Sequence, residues 1–169
     1  MNSAPIILVM GPAGSGKSHI GEQLAHELGV PFLDADSLHS VAARAKMASG
    51  QGLTDDDRAP WLERIATLLG GARLTGKGLV LACSALKRAY RDQFRAECPE
   101  LFVVELEATP DVLSERIRAR SSHFVSVDLL PSQLADLQSL DPDERGTRID
   151  GMQTPAAVVN DAIRHITAG

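Results

Sequence analysis

The sequence has few aromatic residues and few cysteines, and it has no long hydrophobic run. Aromatic side chains make up 4% of its 169 residues, so stacking platforms for single-stranded nucleic acid are not expected. The two cysteines, Cys83 and Cys98, offer neither a disulfide framework nor metal-ligand spacing. No stretch resembles a membrane span or a signal peptide. We therefore expect a reduced, cytoplasmic protein.

An excess of positive charge is also missing. Lysine and arginine number 17 against 22 aspartates and glutamates, which gives a net charge of -5. We therefore expect neither nucleic acid nor an anionic membrane as a partner, although local basic clusters can still bind small anions. The length predicts one domain over residues 1–169, large enough to bury a core.

The most informative motif is a glycine-rich segment near the amino terminus. Residues 11–18, Gly-Pro-Ala-Gly-Ser-Gly-Lys-Ser, fit the phosphate-loop pattern. An apolar run at 6–10 precedes the motif and helical spacing at 19–28 follows it, so strand, loop and helix come in the required order. This order disfavours the alternative of a glycine-rich turn without a ligand. The residues expected to bind ATP here are Gly11, Ala13, Gly14, Ser15, Gly16, Lys17 and Ser18.

Two of these residues have side chains with separate tasks. Lys17 is expected to reach the β- and γ-phosphates, and the Ser18 hydroxyl is expected to ligate Mg²⁺. The helix that begins here adds the positive end of its dipole to the phosphate site.

Strands and helices alternate along the chain, which predicts an α/β fold with a mainly parallel sheet. The predicted strands are 6–10, 31–34, 79–83, 101–106 and, more weakly, 147–149. The predicted helices are 19–28, 38–47, one capped by Thr54 and running through Leu69, 87–97, 109–120, 130–140 and one opened by Thr154.

Two carboxylates follow the second predicted strand. Because residues alternate in a strand, Asp34 and Asp36 would project to one side at its carboxyl end, where open α/β sheets bind ligands. We assign Asp34 to the water shell of Mg²⁺, and Asp36 to orienting and deprotonating an acceptor hydroxyl. The alternatives are solvated loop carboxylates or a helix cap. His39 either touches the acceptor or is an ordinary surface histidine.

Basic residues recur at spacings that suit anion capture. Lys87 and Arg91 are four residues apart, on one helix face, and Arg58 lies in the first turn of its helix, where the dipole disfavours a cation. Any of the three could hold a substrate carboxylate, for which the arginine fork is well suited. Each could equally be a surface charge.

A second pair of cations, Arg116 and Arg120, is also one helical turn apart. Both are assigned to the nucleotide, and Arg120 is expected to neutralise the charge that develops on the migrating phosphoryl group. The aperiodic segment after Arg120 predicts a lid over roughly 117–140. A solvated surface pair is the alternative.

Taken in order, these residues and several further segments resemble gluconate kinase (gluconokinase). The most specific are Asp-Asp-Asp-Arg-Ala-Pro-Trp-Leu at 55–62 and Cys-Ser-Ala-Leu-Lys at 83–87. The other matching segments are 11–18, 34–36 with His39, 46–50, 88–91, Arg120 with His123-Phe124, and 143–145. The resemblance covers nearly the whole chain.

The resemblance implies phosphorylation of D-gluconate at its 6-hydroxyl by ATP, with Mg²⁺. It implies the nucleoside monophosphate kinase-like fold, which has three α/β/α layers, a five-stranded parallel sheet and a helical lid, and commonly a homodimer. The residues that it places on the gluconate side are Asp36, His39, Arg58, Lys87, Arg91 and His123.

Two other functions stay open. One is a related kinase acting on shikimate or a nucleoside monophosphate, although residues 82–85, Ala-Cys-Ser-Ala, differ from the glycine triplet expected of a shikimate kinase. The other is a regulatory protein that binds ATP without catalysis. The carboxylate pair and the lid arginines argue against it, because ATP binding alone requires neither.

Overall fold

A computed structural model describes residues 3–120 and 125–169 and contains one five-stranded parallel sheet. The strands are β1 Ile6–Met10, β2 Phe32–Asp34, β3 Leu79–Ala82, β4 Phe102–Glu107 and β5 Gly146–Asp150. The α-helices are α1 Lys17–Leu28, α2 Val41–Ala48, α3 Asp55–Thr75, α4 Arg88–Glu97, α5 Pro110–Ala119, α6 Leu130–Asp136 and α7 Pro155–Ala168. The strand order is β2-β3-β1-β4-β5, and every neighbouring pair is parallel.

Helices cover both faces of this sheet, which confirms the predicted three-layer α/β/α fold. Successive strand residues point to opposite faces, so β1 contributes to two cores. Ile6, Leu8 and Met10 pack with side chains of α3 and α4. Ile7 and Val9 pack with side chains of α1 and α7. Burial on both faces explains why β1 is a continuous apolar run.

The predicted helix starts are confirmed by their caps. The Thr54 hydroxyl accepts a hydrogen bond from the Asp57 N–H, and the Asp57 carboxylate accepts one from the Thr54 N–H, which forms a capping box. Thr109 and Thr154 each cap a helix whose first residue is proline.

Two predicted helices have different bounds. The helix expected over 38–47 is a 3₁₀ turn, Ala35–Leu38, followed by α2, because Asp34 caps the turn and the Ser40 hydroxyl caps α2. The helix expected over 130–140 ends at Asp136. There the chain returns to the sheet, where the Leu140 N–H donates to the buried Glu105 carboxylate at 2.8 Å.

A third, smaller apolar cluster joins the phosphate loop to side chains of α2, α5 and α6. It includes Ala13, Met47, Leu113, Leu129 and Leu130. The lid predicted over 117–140 falls on the end of α5, a 3₁₀ turn Val127–Leu129 and α6, and its movement stays a prediction. Within residues 3–120 and 125–169, no helix combines the length and apolarity that a membrane span needs.

Candidate active site

The phosphate loop leaves the carboxyl end of β1, in the middle of the sheet. Gly14 and Gly16 have φ angles of +82° and +88°, and a Cβ on Gly14 would lie 2.7 Å from the Leu113 carbonyl oxygen. Both positions therefore need glycine. Such left-handed turns direct successive N–H groups towards an anion. Lys17 begins α1 directly after the loop and is 8% exposed.

The carboxyl end of β2 is tied directly to this loop. The Ser18 hydroxyl donates a hydrogen bond of 2.6 Å to one carboxylate oxygen of Asp34. These two oxygens are ligands of the kind Mg²⁺ uses when it keeps most of its water and binds phosphate. No group of three or more His, Cys, Asp or Glu residues suited to a metal occurs in the described part of the chain. A serine hydroxyl and one carboxylate oxygen fit an ion that keeps most of its water and is held by few protein ligands.

Asp36 lies at the same edge of the sheet. The alternation of residues along a strand, which we expected to place it there, is not the reason. β2 ends at Asp34, and Asp36 lies in the 3₁₀ turn, with its N–H donating to the other Asp34 oxygen at 2.9 Å. Arg44 donates to the Asp36 carbonyl at 3.0 Å. Asp34 is thus both a helix cap and a partner of Ser18, and the backbone of Asp36 is held at both ends.

His39 packs against the single tryptophan of the chain. Its ring stacks on Trp61 with centroids 4.1 Å apart, and the Trp61 indole N–H donates to the Ala35 carbonyl at 2.8 Å. Burial lowers the pKa of His39 to about 4, a shift that Asp36 opposes and Arg44 assists. The imidazole is therefore neutral near pH 7. Its contact with the acceptor stays a prediction.

A cluster of charged and hydrogen-bonded side chains lies beside this aromatic pair. We call it the cation cluster, and it consists of Arg58, Lys87, Tyr90, Asp55 and Asp136. Arg58 donates to the Tyr90 hydroxyl at 2.8 Å and to the Asp136 carboxylate at 3.0 Å. Lys87 lies 2.9 Å from the Asp55 carboxylate, which also accepts a hydrogen bond from Tyr90. Lys87 thus lies in the same cluster as Arg58, and its side chain remains 27% exposed.

Arg91, by contrast, is removed from the candidate substrate ligands. Its side chain is fully buried and forms two hydrogen bonds of 2.8 Å with the Glu144 carboxylate. A third bond reaches the carbonyl of Ala85, whose φ is +45°. Arg91 therefore stabilises the strained turn that follows β3. The helical spacing placed it on a face with Lys87 but did not show that α4 buries that position.

Loss of the Glu144 carboxylate is expected to destabilise the protein strongly. Glu144→Ala leaves the Arg91 charge buried without its partner, which costs about 3–5 kcal/mol. Chemical denaturation should show this decrease, with Asp143→Ala, an exposed neighbour that pairs with Arg88, as the control. Equal stability losses in the two variants would contradict the prediction.

The same pair makes stability depend on pH. Burial alone would raise the pKa of Glu144, but hydrogen bonds from Arg91, the Asp141 N–H and Arg95 lower it from 4.5 to about 2. The stabilisation is complete above the unfolded value and decreases as the pH falls from about 4.5 towards 2. Glu144→Ala should lack this component of the acid transition.

The two arginines of the predicted lid have different surroundings. Arg116 donates to the Gly14 carbonyl at 3.3 Å and to the Gly151 carbonyl at 3.0 Å, so it links the phosphate loop to the turn after β5. Arg120 follows the end of α5 and is exposed. His123 lies outside the described residues. The roles of Arg116 and Arg120 towards the nucleotide stay predictions.

Sequence reasoning missed two polar residues of α6. Gln133 accepts a hydrogen bond of 2.7 Å from the Ala13 N–H of the phosphate loop, and Asp136 pairs with Arg58. Their partners are 120 and 78 residues away. The only local signal was that they are three apart in a predicted helix, and hence on one face.

The space between the loop and the cation cluster is small as it stands. A cavity of about 20 Å³ lies there. Its lining combines the aromatic pair, a guanidinium and apolar side chains: His39, Met47, Leu53, Arg58, Trp61, Ser84, Leu86, Leu129 and Gln133. A phosphate cradle, the acidic residue Asp36 and a cation cluster thus lie at one edge of the sheet. This set of groups can support phosphoryl transfer to a small acid.

Comparison with known proteins extends along nearly the whole chain. A family model described as an AAA domain matches residues 6–140. A gluconokinase of Gluconobacter oxydans (strain 621H) is 41% identical over 162 residues, which are 96% of this chain and 91% of that protein. A thermoresistant gluconokinase of Escherichia coli (strain K12) is 38% identical over 97% of this chain and 94% of its own. The crystal structure of a gluconokinase from Sinorhizobium meliloti 1021 has a TM-score of 0.88 and 38% identity, with 99% of this chain and 94% of that one covered.

Proposed function

This chain belongs to the gluconokinase family, and on that premise we propose that its site transfers the γ-phosphoryl group of ATP to the 6-hydroxyl of D-gluconate. The products are 6-phosphogluconate and ADP. The reaction is an in-line displacement in which the acceptor oxygen forms its bond to phosphorus as the bond to the ADP oxygen breaks. The hydroxyl proton leaves towards Asp36, and no covalent enzyme intermediate is required.

Each step is assigned to residues of this chain. The loop N–H groups and Lys17 bind the phosphates, Asp36 orients the acceptor hydroxyl, and Arg120 neutralises the developing charge. Ser18 and Asp34 would hold Mg²⁺, which neutralises phosphate charge when bound. Arg58 and Lys87 bind the gluconate carboxylate, and His39 and His123 contact the acceptor.

One observation carries this proposal. A single turn of α6 touches both halves of the site, because Gln133 contacts the phosphate loop and Asp136 contacts Arg58. Residues three apart on a helix are neighbours on its surface, with Cβ atoms about 5–6 Å apart. One turn of α6 thus spans from the phosphate loop to the acid-binding cations, which supports a short acid with a terminal alcohol as the acceptor.

The proposal is tested by ADP release from the purified protein with ATP and Mg²⁺. ADP is expected to form with gluconate and not with shikimate, a nucleoside monophosphate or water alone. Release with shikimate or a nucleoside monophosphate only would favour the related kinases. ATP binding without ADP release for any acceptor would favour a regulatory protein.

Lys87→Met is expected to raise KM for gluconate about tenfold to hundredfold, because a charge-assisted hydrogen bond to the substrate acid is lost. KM for ATP should stay within about twofold, since Lys87 does not touch the phosphate loop. Steady-state kinetics measure both constants. Lys77→Met, which removes an exposed charge before β3, serves as the control, and an unchanged KM for gluconate would exclude Lys87 from the acid site.

We also propose that the protein is cytoplasmic and forms a homodimer. Both of its cysteines lie among the described residues and are free, buried thiols, which supports a reducing compartment. The dimer is supported by the family resemblance alone.

A further inference from the structure

Helix α6 presents two polar side chains to the two anion-binding parts of the site. Gln133 and Asp136 are three residues apart, one near each partner. Neither contact is needed to build the sheet or its helical layers. Helix α6 has only seven residues, and besides the apolar packing of Leu130 it is attached to the site through groups that a ligand would also use.

The contact at the phosphate loop uses a ligand-binding donor. The Ala13 N–H donates to the Gln133 side-chain carbonyl oxygen at 2.7 Å, and Ala13 is 5% exposed. In a phosphate loop such an N–H faces the polyphosphate. The Gln133 oxygen therefore takes a hydrogen bond that a phosphate oxygen would accept.

The contact at the cation cluster uses a carboxylate. Asp136 lies 3.0 Å from Arg58 and 4.0 Å from Lys87. With Asp55 beside Lys87, these two cations already face two anions, so the cluster has no excess positive charge for a third. An acid substrate would bind with a net charge in its favour only after one carboxylate moves away.

The small free volume also indicates that groups of the site must move before a substrate binds. The cavity between the two contacts is about 20 Å³, which is room for about one water molecule. A six-carbon acid cannot enter without movement of a wall. Gln133 belongs to that wall, together with Leu129 just before α6.

We propose that Gln133 and Asp136 occupy the places of the two substrates, so that ATP binds by displacing Gln133 and the acid substrate binds by displacing Asp136. The part concerning Asp136 rests on the proposed function. These residues set the affinity of the site for its substrates, because each substrate must replace an existing contact. Removal of either side chain should therefore tighten binding of the substrate that it replaces.

Calorimetric titration of the full chain tests this directly. Gln133→Ala is expected to tighten binding of a non-hydrolysable ATP analogue about twofold to tenfold, the range of one net hydrogen bond. Asp136→Asn is expected to tighten gluconate binding by about twofold to fivefold, since the variant keeps the shape of the side chain and loses its charge. A residue with a purely structural role would not increase affinity when it is replaced.

Two control variants remove the same chemical groups elsewhere. Gln93→Ala and Asp92→Asn alter exposed positions of α4 and should leave both affinities unchanged. Unchanged or weaker binding in Gln133→Ala and Asp136→Asn would overturn the proposal. If the wild-type protein neither binds nor phosphorylates gluconate, the proposed function fails together with the role of Asp136. The titration of Gln133→Ala with the ATP analogue still decides the role of Gln133.

Discussion

Lys17→Ala is expected to lower kcat by roughly 10²- to 10⁴-fold, because it removes the positive charge that stabilises the terminal phosphates as negative charge develops. The side chain is nearly buried in the loop. Within residues 3–120 and 125–169, no carboxylate or carbonyl accepts a hydrogen bond from its ammonium. Its charge is thus available to a ligand. Single-turnover and steady-state assays of ADP release measure the loss.

The same substitution should leave the fold intact. Alanine at this position keeps the first turn of α1, and it buries no unpaired charge. Lys77→Ala is the matched control, as an exposed lysine in the loop before β3. Near-normal turnover by Lys17→Ala, with native circular dichroism, would remove the assigned role.

Asp36→Asn is expected to lower kcat by roughly 10²- to 10⁴-fold, the usual contribution of a positioned general base. Asparagine retains the shape of the side chain but accepts a proton poorly. The backbone of Asp36 is held through Asp34 and Arg44, so the altered group should stay where the carboxylate was. ATP affinity, measured by titration, should change less than about threefold.

A lower kcat with nearly unchanged ATP affinity would show that the chemical step is impaired and that nucleotide binding is not. Asp56→Asn, which changes an exposed carboxylate in the first turn of α3, should behave as the wild type. If Asp36→Asn turns over normally, the acceptor hydroxyl is activated elsewhere. If it loses ATP binding as well, Asp36 acts on the phosphate loop through Asp34 and Ser18 rather than on the acceptor.

The sequence by itself determined most of the elements and the position of the phosphate loop. The phosphate loop is contiguous, so its eight-residue pattern carries its geometry. The three threonine caps each act within three residues, and they marked the starts of α3, α5 and α7. Such local signals can be recognised without knowing which helices and strands pack against each other.

Only the tertiary structure decided which basic residues remain available to a ligand. Lys87 and Arg91 have the same charge and are four residues apart, yet Lys87 precedes α4 and is partly exposed, while the Arg91 side chain is buried against Glu144. The contact of Ala13 with Gln133 joins positions 120 residues apart. Burial and long-range pairing depend on how α4 and α6 dock against the sheet, and no local spacing encodes that docking.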